Sequence, residues 1–229
     1  MKPGNPVIRE LITASDWQRG DPGVRHAPEP VTIRTMPRRI ASLGLAAFVA
    51  LIVVQHATRG DDLPPADHFI SEYARGTGGW VQVVAFLAWG VSLAATLVLI
   101  PRGDRRIARS LTVLGLVAGV IGALMCATFA TETVGGVLPE GATKSRAGQL
   151  HDLGSAGIFF GLLLAALASV RLLTQRRYRL SVLALGLLLF AIPAMLIAAG
   201  YDAPGWGQRG FIAVGCLWQL RLIQTSRDN

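Results

Sequence analysis

The stretch Trp80–Pro101 decides the fold: it reads WVQVVAFLAWGVSLAATLVLIP and contains no charged residue. The hydrocarbon core of a bilayer is about 30 Å thick, so a helix needs roughly 20 apolar residues to cross it. This stretch therefore predicts a transmembrane helix. A polar stretch at 67–76 precedes it, and a loop rich in arginine follows it.

The whole chain has the composition of a membrane protein. Of its 229 residues, 52% are hydrophobic and 16% are charged, and the mean hydropathy is +0.46, whereas soluble domains are about 25% charged. We predict an all-α bundle of six transmembrane helices over 39–225, preceded by a disordered cytoplasmic tail at 1–38 that is polar and rich in proline. The predicted segments are about 40–57, 80–101, 109–131, 153–173, 180–200 and 209–225.

Arginine sets the predicted orientation. The short loops after the second and fourth segments share a run of arginines, at 102, 105, 106 and 109 and at 176, 177 and 179. By the positive-inside rule these loops are cytoplasmic, and an even number of helices then places both termini in the cytoplasm. We therefore expect a multi-pass protein of the cytoplasmic membrane, with the other loops facing outside.

The net charge of +8 does not indicate nucleic-acid binding. The basic residues flank the apolar segments, where they act as topology signals and contact anionic lipid headgroups. We expect membrane lipids, and no nucleic acid, as partners. Both cysteines, Cys126 and Cys216, lie inside apolar segments, so we predict neither a disulfide nor a zinc site from them.

Small residues spaced four apart form smooth ridges on three segments, along which another helix can approach closely. They are Ala88, Ser92 and Thr96 in the second segment, Gly115, Gly119 and Ala123 in the third, and Gly157, Gly161, Ala165 and Ser169 in the fourth. We expect these ridges to hold the bundle together, and oligomerisation through the same faces is the alternative.

A group of polar residues falls at the outer ends of the segments. Segment ends on one side of a closed bundle lie close together, so carboxylates, including Asp202, would meet cations and imidazoles. Ionisable groups at membrane proteins' helix ends are candidates for function. We predict one extracytoplasmic polar pocket built from His68, Ser71, Glu72, Arg75, Glu132, His151, Asp152 and Arg209.

Three members of this group are catalytic candidates: His151, Asp152 and Glu72. A histidine beside a carboxylate has the chemistry of a general base. His68 and His151 are the candidates for binding a metal ion, because histidines and carboxylates bind zinc. The chain has no H-E-x-x-H motif, so we predict no cofactor and keep a metal as the alternative. A serine nucleophile, Ser71 or Ser155, would lack the usual elbow motif.

The same residues resemble a known family, the bacterial and archaeal multi-pass membrane proteins grouped as domain of unknown function 998 (DUF998). The matching pieces are ISEYA at 70–74, GW at 79–80, AFLAWG at 85–90, GQLHD at 148–152 and GQR at 207–209. The family tends to have a Phe-Pro-Thr-Asp-Pro-like run after the third helix. Here that place reads FATET at 129–133, which keeps the acid as Glu132 without the prolines. The resemblance covers about 40–225. It implies a six-helix fold in a bacterial inner (plasma) membrane and assigns no activity.

Several functions fit these residues. The leading hypothesis is a pocket that binds a lipid headgroup or a small polar ligand, with Arg75 and Arg209 holding an anionic group. The alternative is an extracytoplasmic hydrolase or transferase that acts on lipids, with or without a metal. A transporter is disfavoured, because the first five segments carry no ionisable residue at mid-depth and the chain shows no inverted repeat. The small-residue ridges also permit a structural assembly subunit, and the sequence does not decide whether the protein is an enzyme.

Overall fold

The computed structural model describes residues 32–102, 104–198 and 204–225. The predicted all-α architecture is confirmed: these residues form six α-helices and two short 3₁₀ helices, and their only β pairing is an isolated bridge between Val134 and Val137. The α-helices are α1 (Thr32–Arg59), α2 (Trp80–Leu99), α3 (Arg106–Thr128), α4 (Arg146–Ser169), α5 (Arg176–Ala198) and α6 (Pro204–Thr225). The 3₁₀ helices are Ile70–Ala74 and Val170–Leu172.

Four stretches within the described helices are long and apolar enough to cross a membrane. They are Thr35–Arg59, Trp80–Leu99, Arg106–Thr128 and Arg146–Leu172. Helix α2 has 20 residues, and a helix of that length spans about 30 Å, the thickness of the hydrocarbon core. Large apolar side chains remain exposed on the helix surfaces, such as Leu43 at 70% and Val98 at 68%. Extensive exposed apolar surface is unfavourable in water, so these helices indicate a membrane-embedded protein.

The small-residue ridges of α3 and α4 pack against each other within the chain. A Cβ added to Gly115 would lie 2.4 Å from the carbonyl oxygen of Gly161, and one added to Gly122 would lie 2.3 Å from that of Gly154. Such distances leave no room for a side chain, so the glycines allow the two backbones to touch.

Helix contacts run in turn from α2 to α3, α4, α5 and α6, and α6 returns to α2. Helix α1 packs on α2. The ring of Phe48 stacks on that of Trp89 with centroids 4.4 Å apart, and the hydroxyl of Ser92 donates a hydrogen bond to the carbonyl oxygen of Ala41 at 2.6 Å.

A buried polar network joins α2 to α6. The amide nitrogen of Gln219 donates to the hydroxyl oxygens of Ser92 at 2.8 Å and Thr96 at 3.1 Å. The amide oxygen of Gln219 accepts from the indole N–H of Trp89 at 3.1 Å. Because every polar group of the Gln219 amide is paired, this side chain is tolerated in an apolar interior.

The helix ends differ from the predicted segment ends. Residues 32–38 were assigned to the tail, but they are helical, with Pro37 inside α1. Helix α4 begins at Arg146 rather than 153, and α6 at Pro204 rather than 209. The rest of the predicted tail, residues 1–31, lies outside the described residues.

Two long loops, 60–79 and 129–145, meet at one end of the bundle, which we call the loop end. The short connections from α2 to α3 and from α4 to α5 lie at the other end of the bundle, because each joins two antiparallel helices. There the guanidinium of Arg105 donates to the carbonyl oxygen of Arg171. The predicted site residues within the described chain lie at the loop end.

Candidate functional site

Glu72 forms hydrogen bonds that join the loops 60–79 and 129–145. It lies in the 3₁₀ helix Ile70–Ala74 and is 2% exposed. Its Oε2 accepts from Nδ1 of His68 at 2.6 Å and from the backbone N–H of Gly135 at 3.0 Å. Its Oε1 accepts from the backbone N–H of Gly136 at 3.0 Å. Because three donors occupy this carboxylate, Glu72 acts as an anchor between the loops.

The Gly135–Gly136 pair has the backbone shape that presents these two N–H groups. The φ angles are +60° and +79°, a region that side-chain-bearing residues rarely adopt. A Cβ on Gly136 would also lie 2.7 Å from the ring of Phe69. Successive N–H groups in such a turn form a concave anion site, and here the Glu72 carboxylate fills it.

Two arginines reinforce this end of the bundle through backbone carbonyls. Nη1 of Arg75 donates to the carbonyl oxygen of Thr133 at 3.1 Å, and Nη1 of Arg59 donates to that of Tyr73 at 2.6 Å. The hydroxyl of Tyr73 donates to the carbonyl oxygen of Leu63 at 2.6 Å, and burial raises the pKa of this hydroxyl. Arg75, predicted to hold an anionic ligand, thus contacts the loop 129–145, which joins α3 to α4.

Glu132 belongs to the N-terminal cap of α4. Its Oε1 accepts from the hydroxyl of Ser145 at 2.5 Å and its Oε2 from the backbone N–H of the same residue at 2.9 Å. The Ser145 hydroxyl oxygen also accepts from the backbone N–H of Gly148 at 3.3 Å. The hydroxyl bond first, and the backbone bond second, lower the pKa of the Glu132 carboxyl. Such bonds satisfy donors at a helix N-terminus and favour an anion there.

His151 keeps one ring nitrogen unused. The residue is 2% exposed, and its Nδ1 lies 2.7 Å from the carbonyl oxygen of Phe129. A carbonyl oxygen only accepts, so Nδ1 carries the hydrogen and the neutral ring keeps a lone pair on Nε2. Within the part of the chain that the structure describes, this buried Nε2 has no hydrogen-bond partner. An unpaired buried polar atom costs about 1–3 kcal/mol, so Nε2 is a candidate contact for a ligand.

A polar cavity of about 250 Å³ lies beside His151 at the loop end. Lys144 and Asp152 form an ion pair on its wall, with side chains 28% and 48% exposed. The full set of lining residues mixes hydroxyl, imidazole, amide and charged groups: Phe69, Ser71, Thr131, Thr133, Gly136, Lys144, His151, Asp152, Ser155 and Gln208. We call this space the polar cavity.

An apolar cavity of about 290 Å³ adjoins the polar cavity. The two share three lining residues, Ser71, Ser155 and Gln208. Phe160, which is 64% exposed, also lines the apolar cavity, so this space borders the surface of the bundle. The other lining residues are mostly apolar: Ile70, Phe86, Trp89, Cys126, Ala156, Ile158, Phe159, Phe211 and Ile212.

The structure distributes the predicted site residues over several places. Three of them line the polar cavity: Ser71, His151 and Asp152. His68 is paired with Glu72, Arg75 binds the carbonyl oxygen of Thr133, and Glu132 binds Ser145 at the start of α4. Arg209 lines a groove between α1 and α6, and Asp202 lies outside the described residues.

Other wall residues of the polar cavity were not predicted as binding residues. Ser155 follows His151 by one helical turn, and residues four apart share a helix face, so that spacing was a usable signal. Gln208 is adjacent to Arg209 in the sequence, and its amide oxygen accepts from the backbone N–H of Ile70 at 2.6 Å. Nothing in the sequence indicates that Lys144 reaches Asp152, because the path of the intervening loop is not readable from its residues.

Among the described residues, no group of three or more His, Cys, Asp or Glu side chains is arranged to hold a metal ion. His68 and His151, the metal candidates, direct Nδ1 to the Glu72 carboxylate and to the Phe129 carbonyl oxygen respectively. The sulfur of Cys126 lies 3.4 Å from the hydroxyl oxygen of Ser155.

The helices and the loop end together define an all-helical, membrane-embedded protein with adjoining polar and apolar cavities. The chain belongs to the family described as protein of unknown function (DUF998), whose model matches residues 42–223. This match reaches from α1 to α6 and confirms the resemblance seen in the sequence. Neither the curated proteins nor the solved structures include a significant match to this chain.

Proposed function

We propose that the protein binds a membrane lipid in its adjoining cavities, with the headgroup in the polar cavity and the first part of a chain in the apolar cavity. The observation that carries this proposal is the shared wall of Ser71, Ser155 and Gln208. Ligand sites are mostly apolar cavities with a few placed polar groups, and an amphipathic molecule needs both kinds of wall side by side.

In this proposal His151 recognises the headgroup as a hydrogen-bond acceptor. The lone pair on its buried Nε2 suits a hydroxyl or an ammonium group of the ligand. Lys144 and Asp152 add a positive and a negative charge on the same wall. These groups favour a headgroup that carries its own hydrogen-bond donor.

Native mass spectrometry of the gently purified protein tests the proposal by measuring the retained lipid. His151→Asn removes Nε2, while its amide can still donate to the Phe129 carbonyl oxygen. Ala156→Leu fills the apolar cavity from its wall. We expect both variants to retain less of the lipid than the wild type does, and His151→Asn to retain roughly tenfold less for its one lost hydrogen bond.

The matched control is Ala147→Leu, the same substitution at an exposed position of α4 outside both cavities. This variant is expected to retain the lipid at the wild-type level. Retention of the same lipid at that level by both His151→Asn and Ala156→Leu would contradict the proposal.

We also propose that all six helices cross the cytoplasmic membrane, with both termini inside and the loop end outside. The arginines at the opposite end support this orientation. A membrane-impermeant maleimide should label Thr143→Cys, an exposed loop-end position, in intact cells, but not Asp104→Cys. The native Cys126 and Cys216 are buried and should not react. The reverse labelling pattern would show the opposite orientation.

The free Nε2 of His151 also supports a second candidate function, a lipid-directed hydrolase or transferase in which this atom acts as the general base. Four hydroxyl-bearing residues line the same cavity: Ser71, Thr131, Thr133 and Ser155. The test is incubation of the purified protein with the lipid it retains. A new product that disappears with His151→Asn would establish catalysis, and unchanged lipid would rule this reaction out.

A further inference from the structure

An apolar groove of about 790 Å³ lies between α1 and α6. We call it the α1–α6 groove. Several of its wall residues are exposed, so the groove is open along the side of the bundle. Typical wall residues are Leu45, Val49 and Val53 on α1 and Ile212, Leu217 and Leu220 on α6.

At the loop end the groove reaches Arg209 and His56. Arg209 is only 9% exposed. Its Nε–H donates to Nε2 of His56 at 2.8 Å, so this histidine nitrogen is an unprotonated acceptor. Nη1 donates to the carbonyl oxygens of Pro65 at 2.8 Å, His68 at 2.7 Å and Gly205 at 2.9 Å.

The remaining nitrogen of this guanidinium, Nη2, is buried and has no acceptor among the described residues. All hydrogen-bond partners of Arg209 are neutral, and no carboxylate within 32–102, 104–198 or 204–225 forms an ion pair with it. An arginine side chain stays positively charged in proteins, and a buried charge is unfavourable unless it is paired. Among the described residues the guanidinium otherwise faces the rings of Tyr73 and Trp206, 5.6 and 6.0 Å from its carbon, so an anion at the loop end of the groove would complete its contacts.

We propose that the α1–α6 groove binds an anionic phospholipid from the surrounding membrane, with its phosphate at Arg209 and one acyl chain along the groove. From Arg209 to Leu220, α6 rises about 16 Å at 1.5 Å per residue. One leaflet of the hydrocarbon core is about 15 Å thick, half of the whole. The groove therefore has the length of one acyl chain, and its cation lies where the headgroup would be.

This site differs from the polar cavity in position and in chemistry, and it shares Ile70 and Ile212 with the wall of the apolar cavity. No residue lines both the α1–α6 groove and the polar cavity. The groove offers a hydrogen-bond donor with a positive charge, whereas His151 offers an acceptor. The inference therefore does not depend on the function proposed for the cavities.

The test is native mass spectrometry of the delipidated full-length protein, titrated with phosphatidylglycerol or with diacylglycerol of the same chain length, which lacks the phosphate. We expect the wild type to bind phosphatidylglycerol roughly tenfold more tightly, the ratio that one charge-assisted hydrogen bond supplies. Arg209→Gln should remove this preference. Arg209 also donates to the carbonyl oxygens of Pro65 and His68, so Arg209→Gln changes the local structure as well as the proposed site. A second variant therefore leaves the guanidinium intact.

That second variant is Ala46→Phe, which fills the groove from an exposed wall position on α1. Its matched control is Ala47→Phe, the next residue, exposed and outside the groove. We expect Ala46→Phe to lose the phosphatidylglycerol preference and Ala47→Phe to keep it. Equal binding of the two lipids by the wild type, or an undiminished preference in Ala46→Phe, would overturn the inference. His151→Asn should keep the preference, so this outcome is separable from the function of the cavities.

Discussion

Replacement of Glu72 by glutamine tests whether this side chain anchors the loops or contacts a ligand. Glutamine keeps the shape but turns one carboxylate oxygen into an N–H₂ group. In the better orientation its oxygen still accepts from His68 and Gly135, while the N–H of Gly136 faces another donor. A hydrogen bond to a charged group contributes about 1.5–3 kcal/mol, and an unpaired buried donor costs about 1–3 kcal/mol. We expect the junction of the two loops to lose about 2 kcal/mol.

Hydrogen exchange of the loop 129–145, followed by mass spectrometry, measures this loss locally. At 1.4 kcal/mol per tenfold, a loss of about 2 kcal/mol corresponds to exchange roughly 30-fold faster at the amides of Gly135 and Gly136, because local opening controls their exposure. Glu140→Gln is the matched control, since Glu140 is an exposed carboxylate in the same loop. If Glu72→Gln exchanges like this control but loses the lipid that the wild type retains, Glu72 is a ligand contact and the anchoring argument is refuted.

Three further predictions concern single positions. Gly136→Ala combines a φ of +79° with a Cβ 2.7 Å from the Phe69 ring, so we expect a loss of at least about 1–2 kcal/mol, measured as a lower Tm by scanning fluorimetry. The pKa of Glu132 is lower in the folded protein than its ordinary value of 4.5. The contribution of this carboxylate to the stability of the α4 N-terminus is therefore fully present above pH 4.5 and is lost as the pH falls through the folded pKa. The hydrogen exchange rate of the backbone amides at the start of α4, corrected for the intrinsic rate, should rise as the pH falls through this range. Ser145→Ala should move that rise to higher pH, because it removes the hydroxyl bond that lowers the pKa of Glu132 most. Gln219→Leu leaves the buried indole N–H of Trp89 without an acceptor and removes the donor to the hydroxyl oxygens of Ser92 and Thr96, so it should lower the free energy of unfolding in mixed micelles by about 0.6–1.7 kcal/mol.

The helices were predictable because the length of an apolar segment is a local property, whereas their ends depend on distant residues. Helix α4 begins at Arg146 because Ser145 caps it and Glu132 binds that cap from 13 residues earlier in the chain. The hydropathy of the sequence identifies only the apolar part of α4, which begins near residue 153. A carboxylate that stabilises a helix from another segment leaves no periodic signal.

The position of the candidate site at the loop end was also predictable, but the partner of each side chain was not. Glu72 is paired because Gly135 and Gly136 form a turn that surrounds a carboxylate. That turn depends on two φ angles in a loop without an apolar pattern. The small residues Ser92 and Thr96 were interpreted only as a packing ridge, although Gln219, a polar residue inside the sixth apolar segment, binds both hydroxyl groups.

Unpaired atoms, more than charges, distinguish the positions at the loop end that we propose as binding positions. Among the predicted site residues, His151 and Arg209 are the two with a buried atom that lacks a partner within the described chain. One atom is an acceptor and the other a donor, and they line different spaces. His151→Asn and Arg209→Gln should therefore reduce the retention of different lipids, and the double variant should show both losses independently, as expected for separate sites. Loss of one and the same lipid in both single variants would show that the two residues serve a single site.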